Sequence, residues 1–197
     1  MLAIGNNADS RPLVYFVGLS AKPNCEHLAP ETRSGSIIER IIVHLPFISA
    51  VRTNLVKTPP IDHQGKLRYP NPVEMWSGWT ELQEEMRRTS PSLLVTLGRQ
   101  VSFFLRSQVG VQPAKPELPS DFSYESCVSQ AQLSILSIHH PSFVYVYRRK
   151  DIESYVDNVV ASIRTLVSVD IRHEASIGRT KTRSDRTGPQ GPTPGGS

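Results

Sequence analysis

The chain has 197 residues, enough for one domain with a sizeable core and little room for a second. Its 22 Lys+Arg against 18 Asp+Glu give a formal charge of +4, which suits a phosphate-rich partner without establishing one. Two cysteines, Cys25 and Cys127, exclude a disulfide framework and a metal or iron–sulfur site of four thiolates, and no run reaches the roughly 18 apolar residues of a membrane span.

With no basic and then apolar leader in Met1–Asn7, the expectation is a soluble cytoplasmic protein in a reducing compartment. Residues 1–12 read as a flexible arm. Leu13-Val14-Tyr15-Phe16-Val17 is a continuous β-prone run closed by Gly18, the pattern of a strand buried on both faces. A loop rich in proline, asparagine and charge leads to Ser34-Gly35-Ser36, and Ile37, Ile38, Ile41, Ile42 and Leu45 follow at helical spacing, with Ser34 or Ser36 available as N-cap. Free N–H groups at such a helix start suit an anion, although a capping side chain or water commonly takes them.

Ser49–Val56 reads as a second strand, with Asn54 near its carboxyl end and Lys57-Thr58-Pro59-Pro60 after it. Residues 61–72 form a loop. Val73, Trp76, Trp79, Leu82 and Met86 then recur at helical spacing, which places both tryptophans in the core. Leu93–Leu97 is a third buried strand, and Gly98 opens a short helix through Val101, Phe104 and Leu105. Residues 110–129 are proline-rich and read as an irregular loop.

The run Leu133–Ile138 reads as a strand that delivers His139-His140-Pro141-Ser142 to the sheet's edge. Proline lacks the N–H that a ladder needs and forces its predecessor out of the helical region, so His140 is held extended at a strand's carboxyl end. In open α/β sheets ligands bind there, but His-Pro is also an ordinary strand terminator. Phe143, Tyr145 and Tyr147 alternate with Val144 and Val146 ahead of Arg148-Arg149-Lys150, a pattern shared by a base-stacking, phosphate-gripping loop and a half-exposed strand. Asp151 can cap a final helix whose apolar face runs from Ile152 to Val167. Residues 13–171 then form one α/β domain, a mostly parallel sheet of four to five strands between helices. Residues 172–197 are basic and Gly/Pro-rich and read as a disordered tail.

Gly18-Leu19-Ser20-Ala21, Thr53-Asn54-Leu55-Val56-Lys57-Thr58-Pro59-Pro60 and His140-Pro141-Ser142 lie at three strand ends in this order. The set resembles the uracil-DNA glycosylase superfamily over roughly Leu13 to Leu166, and Thr32-Arg33-Ser34-Gly35 looks like the pocket-forming helix start of its iron–sulfur and Gly-Leu-Ala-Pro-Ala branches. The resemblance implies a monofunctional glycosylase with DNA as partner, acting as a monomer without metal or cofactor. His140 would donate to the pyrimidine O2 and stabilise the departing base. Asn54 would read the base edge or orient the attacking water. Gly18, Leu19, Ser20 and Pro30 would form the base pocket. Ser34, Gly35, Lys57, Ser142, Phe143, Tyr145, Arg148 and Arg149 would hold DNA. His139 reads as a structural neighbour.

Two departures bear on the substrate. Leu19 stands where the iron–sulfur branch carries a water-activating glutamate. Residues of Ala29-Pro30-Glu31-Thr32 replace the branch's base-stacking aromatic, a loss of about 1–3 kcal/mol of base recognition. The expected substrate is therefore a modified pyrimidine rather than plain uracil, such as glucosylated hydroxymethylcytosine in phage DNA, with an antiviral role. Uracil repair and a non-catalytic nucleic-acid-binding module are the alternatives.

Overall fold

The computed structural model describes residues 11–25, 27–111, 125–128 and 133–181. Among the described residues, five strands form one sheet in the order β2-β1-β3-β5-β4. They are β1 (Leu13–Ser20), β2 (Ser49–Val56), β3 (Leu93–Leu97), β4 (Glu125–Val128) and β5 (Ser134–Ile138). All neighbours pair in parallel except β4, which runs antiparallel to β5 at the edge. The helices are α1 (Arg33–Val43), α2 (Pro72–Thr89), α3 (Arg99–Gln108), α4 (Pro141–Tyr147) and α5 (Ile152–Lys181).

Strand alternation sends successive side chains to opposite faces, and both faces of this sheet are covered. Val14 and Phe16 of β1 pack with Ile37, Ile38 and Ile41 of α1 and with Tyr155 and Val159 of α5. Tyr15 and Val17 pack on the other side with Trp79 and Leu82 of α2 and with Val101 and Leu105 of α3. These are the two cores of an α/β/α sandwich. From β1 the chain steps outward to β2 and then back across to β3, so the strand order reverses beside β1. The crevice outside the carboxyl ends at such a reversal is where open α/β sheets bind ligands.

Several expectations require correction. Strand β1 continues past Gly18 to Ser20, because it keeps its parallel pairing with β2 as far as Ser20 opposite Val56. The N-cap of α1 is Thr32, not Ser34 or Ser36, and its hydroxyl accepts from the Gly35 amide. Trp79 is buried, but Trp76 is 53% exposed and meets Phe104 edge-on, because the inward stripe of α2 runs through Met75, Trp79, Leu82 and Met86. Strand β4 lies within the stretch read as an irregular loop, where pairing with β5 orders a short polar segment; residues 112–124 and 129–132 of that stretch lie outside the described residues.

The aromatic alternation after Pro141 belongs to neither a strand nor a loop. It lies on α4, with His140 as N-cap and Pro141 at the first turn, where a missing N–H costs nothing. Helix α5 passes residue 171 and reaches Lys181, in a stretch without proline. Residues 1–10 of the arm and 182–197 of the tail lie outside the described residues.

Candidate active site

Four strand ends converge on one cleft. Strand β1 brings Leu19 and Ser20, β2 brings Asn54, Gly98 follows β3, and His140 and Ser142 follow β5; the cleft has a volume of about 490 Å³. Asn54 is 4% exposed, and its Nδ2 donates to Nδ1 of His27 at 2.9 Å. That bond fixes the amide and leaves Oδ1 over Gly18, directly opposite in the β1–β2 register. A Cβ at Gly18 would stand 2.3 Å from Asn54 Oδ1, so only glycine admits this amide without a shift. His27 had no signal in the sequence, since it reaches Asn54 from an irregular loop.

His140 is tied down through its other ring edge. Nδ1 lies 3.2 Å from the Ser142 backbone nitrogen and 2.7 Å from Ser142 Oγ. A backbone N–H can only donate, so Nδ1 is the acceptor and the neutral ring carries its proton on Nε2. Burial and then the nearby Lys22 ammonium push the imidazole down from its ordinary 6.5 to about 4, which keeps it neutral at physiological pH. A neutral ring with this tautomer is a fixed N–H donor. Gly98 adopts a φ of +92°, and its Cβ position lies 3.0 Å from His140 Cβ, so the turn after β3 sets the histidine's backbone from below. His139 occupies a structural place: its carbonyl accepts from Tyr155 Oη at 2.6 Å and its ring stacks on Phe143.

The structure redistributes the other expected residues. Ser34 lines the cleft, while the Gly35 amide is spent on the Thr32 cap and is no open anion donor. The Ser142 hydroxyl donates to His140, so its first function is to hold the imidazole. Lys57 is paired with Glu85 at 2.7 Å and does not line the cleft. Pro30 is exposed and lines a neighbouring recess beside Arg52 instead of the cleft. Arg148 is paired with Asp151 at 2.7 Å. Exposed Arg149 lies over the Tyr145 ring at 5.7 Å, and Arg33, which the sequence offered only as part of the Thr32–Gly35 helix start, lies over the same ring at 5.6 Å. These two guanidiniums lie within cation–π reach of one ring and form a basic patch beside α1 and α4.

Among the described residues no carboxylate lines the cleft. Nor do His, Cys, Asp and Glu gather in a group of three or more able to hold a metal. An iron–sulfur cluster takes four cysteine thiolates, and the chain has two, so these residues do not fit the cluster of the iron–sulfur branch. No helix among the described residues is long and apolar enough to cross a membrane.

A search among curated proteins found no match. A comparison with family models, however, matches residues 12–164, from just before β1 into α5, to the uracil DNA glycosylase superfamily. That span contains the five strands β1–β5 of the described residues and all of the cleft lining, so the chain belongs to the uracil DNA glycosylase superfamily.

Proposed function

We propose that this protein is a monofunctional DNA glycosylase that hydrolyses the N-glycosidic bond of a flipped-out modified pyrimidine and leaves an abasic site. The observation that carries the reading is the pairing, in one cleft, of a neutral His140 whose free proton is on Nε2 with an Asn54 whose amide is fixed by His27. As the C1′–N1 bond breaks, negative charge builds on the leaving base. A preformed N–H donor stabilises that charge most at the transition state, which is the condition for catalysis. The Lys22 ammonium, on the same cleft, adds to this field. Asn54 Oδ1 accepts from the attacking water or from the base edge. Leu19 supplies no general base, so rate acceleration rests on leaving-group stabilisation.

The preference for a modified base rests on room and on polarity. With Pro30 turned away, no aromatic ring among the described residues walls off the α1 side, and the cleft volume falls within the range of about 300–1,000 Å³ that holds drug-sized ligands. Lys22 and Gln100 on its lining offer donors to a hydroxyl-rich substituent such as the sugar of glucosylated hydroxymethylcytosine, the base of certain phage DNAs. Attack on such DNA would serve antiviral defence. The test is base release from duplexes carrying either uracil or the glucosylated base, read as alkali-labile strand breaks. Breaks in the glucosylated duplex are expected. Breaks only at uracil would return the protein to uracil repair. DNA binding without breaks would favour a non-catalytic module, which Leu19 in place of a carboxylate would suit.

A further inference from the structure

Part of the cleft is lined by Leu67, Arg68 and Tyr69 of the loop between β2 and α2, which leads into the helix packed on the sheet face opposite α1. This loop is braced. Ile61 and Leu67 form an antiparallel bridge, Asp62 Oδ1 accepts from the amides of Gln64 and Lys66 at 2.8 Å, and the Arg68 amide donates to Pro60 O at 2.9 Å. The Arg68 guanidinium grips both oxygens of Glu74 at 2.7 Å and also donates to the Tyr69 carbonyl at 2.9 Å. Glu74 in turn accepts from the Asn71 amide at 2.7 Å. The backbone on either side of Tyr69 is thus anchored to the start of α2.

On this rigid mount the Tyr69 side chain is 73% exposed. Among the described residues lining the cleft it carries the one carbocyclic aromatic ring. A large ring on a fixed backbone, with two side-chain torsions to order, is an economical contact surface for a flat ligand. Resting on the glycosylase reading for the identity of that ligand, we infer that Tyr69 is the stacking wall for the extruded base, in place of the aromatic absent near α1. The base then enters between Tyr69 and the Gly18–Asn54 side, with its O2 toward His140. A wall on the β2–α2 loop leaves the opposite side open for a bulky substituent, so Tyr69 recognises the ring while tolerating what the ring carries.

The test measures affinity on a His140→Ala background, which leaves the substrate intact. Two duplexes are compared, one with a mismatched pyrimidine and one with a tetrahydrofuran abasic analogue at the same position. Their affinity ratio isolates the base contact from phosphate binding. Stacking on an aromatic side chain corresponds to about a five- to 150-fold effect, so Tyr69→Ala should lower the ratio by that factor. Tyr69→Phe should preserve it, and the thermal midpoint should not move, because the ring is exposed in the free protein. A ratio unchanged in Tyr69→Ala, or no preference for the base in the Tyr69 parent, overturns the inference. A ratio that falls as expected in a protein whose unsubstituted form makes no abasic sites would uphold Tyr69 and refute the glycosylase reading.

Discussion

The chemistry of the cleft depends on where one proton sits. Ser142 closes Nδ1 of His140, and burial with Lys22 nearby holds the ring neutral down to about pH 4. The acid limb of the base-release rate should therefore fall near pH 4 and not near the ordinary histidine value of about 6.5. The same depressed value has a stability consequence whose sign is fixed. Between about pH 4 and 6.5 the unfolded chain takes up a proton on His140 that the folded chain refuses, so lowering the pH favours unfolding. The contribution is fully present above about pH 6.5 and is lost as the pH falls toward 4. A rate profile with its acid limb at pH 6 or above would show that His140 titrates as an exposed imidazole and would remove the fixed-donor account.

Among the elements, the turn joining β3 to α3 carries the most consequence for the site. Gly98 combines a φ of +92° with a Cβ position 3.0 Å from His140. Strain of this kind costs about 1–3 kcal/mol for a residue with a side chain, so Gly98→Ala should lower stability by that amount in urea denaturation and also displace His140. Unchanged turnover in that variant would mean that the histidine's place is set from elsewhere.

The elements also explain what was legible in advance. Strands β1 and β3 were readable because residues buried on both faces give continuous apolar runs, while β2, an edge strand with Arg52, Thr53 and Asn54 within it, was readable from its β-branched and apolar residues between proline breaks. The sequence placed Asn54 near the carboxyl end of β2 and His140 just after β5, and both line the cleft. Helix α4 was not readable, since Phe143, Tyr145 and Tyr147 repeat every second residue while the cap at His140 and Pro141 decides for helix. His27 and Tyr69 were invisible as site residues, because irregular loops with no periodicity bring the first to Asn54 and the second to the cleft.

At the scale of the whole molecule, a formal +4 is too diffuse to locate DNA, but the folded surface concentrates part of it. Arg33 and Arg149, far apart in sequence, lie 5.6 Å and 5.7 Å from the Tyr145 ring centroid, whereas Lys57 and Arg148 face Glu85 and Asp151. Withdrawing one cation from a phosphate reduces the salt dependence of duplex binding by a slope of about 0.9. The double variant Arg33→Ala/Arg149→Ala should flatten the log–log plot by nearly twice that, and Lys57→Ala should leave it almost unchanged. An unaltered slope in the double variant would take this patch out of the DNA interface.

The central claim is that the Asn54–His140 cleft breaks glycosidic bonds. The most direct measurement is the base-release assay on the glucosylated duplex, run under single-turnover conditions with the unsubstituted protein, His140→Ala and Asn54→Ala. Alkali-labile sites from the unsubstituted protein, with the rate lowered by at least about a hundredfold in each variant, as for removal of one oxyanion-hole donor, and with folding and duplex binding retained, are the predicted result. Equal rates in all three proteins, or no abasic sites on either glucosylated or uracil-bearing DNA despite tight binding, would contradict it.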